Sequence, residues 1–217
     1  MATASALPLG SAGTSLRRNV ILSALEALVA GLGLFVIYRH VVAELGLAML
    51  GVWSVLLATT ALGRLADAGI ASCLFRFVSR WMALHDAAIS ALYIRTALTT
   101  VGLGMAFATL PLWFGFSQFL QIVLSGAELE LARTLLPIAL LSLWLISIKS
   151  VLDSALLGLH RADAKSLAAI VGMGVQVWLS LLLVRDWGLW GLAAAQAAQF
   201  ALASTICVVV LWRGGVF

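Results

Sequence analysis

The chain has 217 residues, of which 63% are hydrophobic and 10% charged, with a formal net charge of +4 and a mean hydropathy of +1.12. Soluble domains are about 45–50% apolar and about 25% charged, so a water-facing globular surface is excluded and a multi-pass membrane protein is expected. Cys73 and Cys207 lie far apart, near or within apolar segments, and read as small buried hydrophobes rather than a disulfide pair. The basic residues are scattered between apolar runs, so they point to membrane orientation and not to a nucleic-acid partner.

Residues 1–16 are small and polar or weakly apolar, and are expected to form a flexible tail ahead of a membrane domain covering 17–217. The first long apolar run, 20–38, follows Arg17 and Arg18. It is longer than the roughly 7–15 residues of a cleavable signal, so it is expected to persist as the first span. Five further apolar segments follow at about 45–62, 97–116, 135–152, 167–184 and 189–211. Each approaches the ~20 helical residues that cross a ~30 Å hydrocarbon core. The runs are continuous and do not alternate with period two, and backbone groups in lipid must bond internally, so helices are expected.

Lysines and arginines set the orientation. The tail, the second and fourth connections and the C-terminus carry ten of them: Arg17, Arg18, Arg64, Arg76, Arg80, Arg95, Lys149, Arg161, Lys165 and Arg213. The opposite side carries three: Arg39, Arg133 and Arg185. Basic residues stay cytoplasmic, so both termini are expected inside. Trp113, Trp187 and Trp190 fall near the outer interface and Trp81 and Trp212 near the inner one, which suits an aromatic belt better than stacking against a sugar.

Span one contains Glu26. A carboxylate in a span costs roughly 2.5–3.5 kcal/mol on insertion scales, so it should face the bundle. Ser23, Ala27 and Gly31 form a small-residue row beside it, suited to close helix approach. Glu26 reads either as a packed polar contact or as a cation or proton site. In the second connection, Ile70, Leu74, Phe77 and Trp81 share one helical face and Ser72, Arg76, Ser79 and Arg80 another, as in an interfacial helix resting on the inner leaflet. The stretch 117–133, with Glu128 and Glu130, reads as a short solvated loop or helix, and Pro137 as the start of span four. Lys149 and Asp153 are placed to pair at spacing four, with Lys149 near enough to the helix end to snorkel. Gly172 and Gly174 suit close helix packing, and Gln196 and Gln199 can bond across helices or line a cavity.

Catalytic signatures are missing. No Cys/His cluster has metal-ligand spacing, no phosphate-binding loop ends in Lys-Ser/Thr, and no Gly-x-Ser-x-Gly elbow occurs. Asp67 with Arg76 resembles a fragment of the membrane alcohol-phosphotransferase pattern. It lacks that pattern's companion aspartates, and Asp86 falls outside it. No enzyme activity, metal or cofactor is expected.

Several motifs in order carry a resemblance. Arg39 closes span one; Leu45-Gly46 precedes Gly51-Val52-Trp53; Asp67-Ala68-Gly69-Ile70 breaks the second connection, followed by Arg76-Phe77-Val78. Further on come Leu156-Leu157-Gly158-Leu159-His160-Arg161-Ala162-Asp163 and Trp187-Gly188-Leu189-Trp190-Gly191-Leu192-Ala193. Together, over about 16–212, they resemble the polysaccharide flippases of the multidrug/oligosaccharidyl-lipid/polysaccharide exporter superfamily. The resemblance implies a bacterial inner-membrane protein that moves a lipid-linked oligosaccharide, carried on a diphosphate, to the outer face by alternating access. The cavity of such proteins lies between two lobes of six helices, and relatives exchange drugs for protons or sodium.

Two departures stand out. Leu47-Ala48-Met49-Leu50 replaces the family's proline and acidic residues, and only one six-helix lobe is present. The expectation is therefore an all-α, six-span lobe equivalent to half of a two-lobed exporter: a flippase subunit that pairs with a second lobe or a second copy, a proton- or sodium-coupled drug exporter lobe, or a truncated non-transporting fragment. Arg39 and Arg64, with Lys149 behind them, are the expected contacts for an anionic headgroup, since guanidinium offers a planar two-pronged donor. Glu26 is the expected ion-coupling residue. Expected partners are the lipid-linked oligosaccharide and membrane lipids.

Overall fold

The structure is a computed structural model that describes the backbone of residues 9–63, 65–84 and 86–215, and side chains from residue 18 onward except at 59–60, 62–68 and 87. Among the described residues every regular element is helical: α1 Leu9–Leu45, α2 Leu47–Gly63, α3 Leu65–Ala83, α4 Ala87–Val123, α5 Gly126–Gly158 and α6 Ala162–Arg213. Four of these, α1, α4, α5 and α6, contain stretches long and apolar enough to cross a membrane. The chain is thus an all-α, membrane-embedded protein.

The chain reverses at glycines where its short links require it. Gly46, at φ 85°, joins α1 to α2 across a single residue. Gly188, at φ 57° and ψ −135°, interrupts α6 in a region open essentially to glycine alone. The two limbs of α6, 162–187 and 189–213, fold back on each other. Gly172 on the first limb abuts the Gln199 carbonyl and Ala203 on the second, and Gly191 faces the Leu183 carbonyl so closely that a Cβ would lie 2.5 Å from it. A 52-residue helix would run about 78 Å if straight, so the break at Gly188 lets it fit a bilayer.

α3 and α4 form a second hairpin. Phe77 stacks on Tyr93 with ring centroids 5.3 Å apart, and Asp86 caps α4 by accepting from the Ile89 amide at 3.0 Å. α1 and the first limb of α6 run side by side in the same direction. Glu26 bonds Ser166 and Gly33 lies under Met173, a constant offset of 140 residues. Trp144 on α5 donates its indole N–H to the Gly102 carbonyl of α4 at 3.2 Å, which satisfies a polar tip inside the bundle.

Two apolar cores result. One, at the end where α1 meets α2 and α6 turns, contains Ile37, Val41, Trp53, Leu56, Leu120, Leu135, Leu136, Leu143 and Leu192. The other, at the end where α5 meets α6, contains Leu74, Val78, Ile94, Leu152, Leu156 and several small residues, Ala155, Ala164, Ala168, Ala203 and Cys207.

Several expectations change in detail. α1 begins at Leu9, so residues 9–16 of the expected tail belong to the helix. Within the bundle α3 buries Leu74 and Val78, while Ile70 and Phe77 stay 38% and 43% exposed, as side chains turned to lipid would be. The reason is local. Gly158 of α5 leaves a gap that Val78 fills, and that contact sets the rotation of α3. The row Ser23, Ala27, Gly31 is exposed, and Gly33 makes the close approach on α1. Gly174 has open space around it, unlike Gly172. Cys73 is exposed while Cys207 is buried. The stretch 117–133 is helical but for the turn at Leu124 and Ser125, and Pro137 lies inside α5 rather than at its start.

Candidate functional site

A groove runs between α1, α2, α5 and both limbs of α6. It has two chambers. One, of about 360 Å³, is lined by residues including Tyr38, Trp53, Ser142, Gln176, Gln196 and Gln199. The other, of about 270 Å³, is lined by residues including Glu26, Lys149, Ser150, Asp153, Ser154 and Gln199. Ile146, Met173, Gln199 and Phe200 line both. Volumes of this order match small-ligand sites.

The second chamber holds the charge. Glu26 sits in mid-α1 on the face turned to α6, where Lys165 Nζ donates to its two oxygens at 2.9 and 3.0 Å. Ser166 Oγ donates to Glu26 Oε2 at 2.8 Å. The carboxylate keeps only 21% of its side-chain exposure and the ammonium 23%. Its hydration shell is therefore replaced by three charge-assisted bonds from the first turns of α6. Lys149 Nζ donates to Asp153 Oδ2 one turn further along α5, as the spacing predicts, and the Cys207 thiol points at the other carboxylate oxygen at 3.9 Å. Glu26, Asp153 and Lys149 line this chamber, and each acid is paired with one base, Asp153 with Lys149 and Glu26 with Lys165, which stands beside the groove. Outside it, Arg18 bonds Asp163 at 2.7 Å, a more exposed clasp on the same α1–α6 seam.

The middle of the groove is neutral and polar. Gln176 on the first limb of α6 and Gln196 and Gln199 on the second carry amides that both donate and accept. Trp53, Tyr38 and Phe200 supply aromatic surface beside them. Such a lining can bind hydroxyls and esters, orient a charged head at one end and shelter an apolar tail.

Of the expected site residues, Glu26 and Lys149 come together in this groove. Arg39 does not join them. It is exposed on α1, 13 residues from Glu26 and so about 20 Å along the helix, and it lines neither chamber. Arg64 lies outside the described residues. Gln176 lines the groove, and Lys165 and Ser166 hold Glu26 beside it; the sequence alone singles out none of the three. Lys165 reads there as a loop charge, and only the 140-residue offset of the parallel helices brings it to Glu26. Of the tryptophans at the expected interfaces, Trp113, Trp187, Trp190 and Trp212 are exposed, as an aromatic belt requires, and Trp81 is half-buried, whereas Trp53 is 4% exposed and packs in the core.

Comparison with protein-family models, with curated proteins and with solved structures gives no match. The functional reading therefore rests on the groove.

Proposed function

We propose that this chain is a six-span lobe, with both termini cytoplasmic, of a flippase that carries a lipid-linked oligosaccharide across a bacterial inner membrane. The observation that carries this reading is the groove itself. Paired charges at one end, three glutamines beside Trp53 and Tyr38 in the middle, and aliphatic walls throughout offer matching surfaces to an amphiphile with a polar, hydroxyl-rich head. The four long apolar helices support a six-span reading if α6 is counted twice across Gly188 and α2 with α3 is taken as one interrupted crossing. Lys149 lines the charged end of the groove and is held there by Asp153. Arg39 stands at the far end, where a second lobe or a second copy would have to meet it.

The test is restoration of surface polysaccharide in a strain lacking its flippase, with E26Q and the double variant K149M/D153L run alongside. Restoration by the chain that is lost in both variants supports the proposal. Restoration that is indifferent to both removes the groove from the mechanism. A second reading, a proton- or sodium-coupled drug exporter lobe, is favoured by one observation: Glu26 is held in the groove wall, not sequestered behind it. Drug sensitivity on deletion with intact surface polysaccharide would select that reading.

A further inference from the structure

The charge in the groove is balanced, and this restricts what it can hold. Glu26 is bonded to Lys165 and Asp153 to Lys149; Glu26, Asp153 and Lys149 line the chamber and Lys165 stands beside it, so two negative and two positive groups are balanced there. A purely anionic head that captures Lys149 or Lys165 strips a carboxylate of its partner in a low-dielectric wall, and an unpaired buried charge is heavily penalised. A purely cationic head does the same to a lysine. A head carrying both charges avoids the penalty. Its anionic oxygens take the two ammonium groups while its own N–H donors take the freed carboxylates, so every charge exchanges one partner for another.

From this we infer that the groove is a binding site for a zwitterionic amphiphile whose head joins a phosphate to a primary ammonium, as in phosphatidylethanolamine. Ser150 and Ser154 stand beside the ion pairs. Gln199, which lines both chambers, follows where ester oxygens would lie, and Leu34, Ile37, Leu57 and Leu143 continue as an apolar trough for an acyl chain. The ion pairs sit near the helix ends where α5 joins α6, with Asp153 five residues from the end of α5 and Lys165 in the first turn of α6. That is the depth at which a headgroup arrives without crossing the hydrocarbon. The site uses the groove of the proposed transport reading but does not require that anything be transported.

The experiment is native mass spectrometry of the detergent-purified full chain, offered equal amounts of phosphatidylethanolamine and phosphatidylglycerol with identical acyl chains. Retention of the ethanolamine lipid at least fivefold above the glycerol lipid is expected. The paired variants K149M/D153L and E26Q/K165M, which remove charge without orphaning a partner, should reduce that preference to parity while thermal melts confirm that they fold. Equal retention of both lipids by the unaltered chain would overturn the inference without recourse to any variant, as would a preference that survives both pairs. Soluble phosphoethanolamine that raises the melting temperature as much as the lipid does would overturn the lipid assignment. Because flipping is not measured, failure here leaves the transport proposal standing, and failure of transport leaves this one.

Discussion

The two ends of the bundle are packed by different means. Where α1 turns into α2 and α6 reverses, the core is made of large side chains such as Leu135, Leu136, Leu143 and Trp53, which interlock without charge. Where α5 joins α6, alanines and Cys207 let the helices come close, and ion pairs from α1, α5 and α6 stand in the space above them. The first end is held by bulk and the second by proximity. Small residues leave room for carboxylates and ammoniums to reach one another, and that end is therefore where the groove acquires its polarity.

Mutations at the two ends should separate these modes, and the largest effect is expected at the reversal of α6. A Cβ at Gly191 would meet the Leu183 carbonyl and side chain at 2.5–2.8 Å, and no flexible atom can yield there. Gly191→Leu should abolish the folded state, seen as loss of the monodisperse peak in size-exclusion chromatography. At the charged end, Lys165→Met leaves Glu26 with Ser166 alone and should cost about 1.5–3 kcal/mol, the range for hydrogen bonds to charged groups. Adding Glu26→Gln should recover much of that loss, a coupling that a double-mutant cycle in thermal melts would measure. If the double variant were as unstable as the sum of the singles, the pair would not be interacting. Gly158→Val drives a branched side chain into Val78, whose Cβ lies 2.8 Å from the new Cβ position; overpacking of this kind costs about 1–3 kcal/mol. The same change should loosen α3, detectable as faster labelling of Cys73 by a thiol reagent. The smallest effect is expected at Gly31, which has open space around it. Gly31→Ala should shift stability by no more than about 1 kcal/mol, upward if helix propensity decides it. A large loss there would restore the small-residue row of Ser23, Ala27 and Gly31 as the packing seam.

The class of the molecule and its long apolar helices were legible in the sequence because hydropathy is a local property. So were the Lys149–Asp153 pair, which depends on one helical turn, and the orientation of Glu26 toward the bundle. Contacts set by the relative placement of helices were not. Which of Gly31 and Gly33 is covered depends on where Met173 arrives. Whether Lys165 serves as a loop charge or as the partner of Glu26 depends on the offset between two helices that are distant in the chain. The rotation of α3 against the bundle is set in the same way. Periodicity locates an apolar stripe, but the gap at Gly158 decides which part of it is used. Arg39 ends a span, where a cation is at ease in water, and it lines neither chamber of the groove.

The four side chains shared by the two chambers have a consequence of their own. Ile146, Met173, Gln199 and Phe200 form the partition between the charged compartment and the amide-lined one. Met173 is buried and Gln199 half-buried, and both are unbranched and turn about several bonds. Met173 packs tightly onto the bare backbone of Gly33, where a Cβ would lie 2.7 Å from its sulfur. A guest passing from one compartment to the other must therefore displace the thioether from its packed place against Gly33 as well as turn the Gln199 amide.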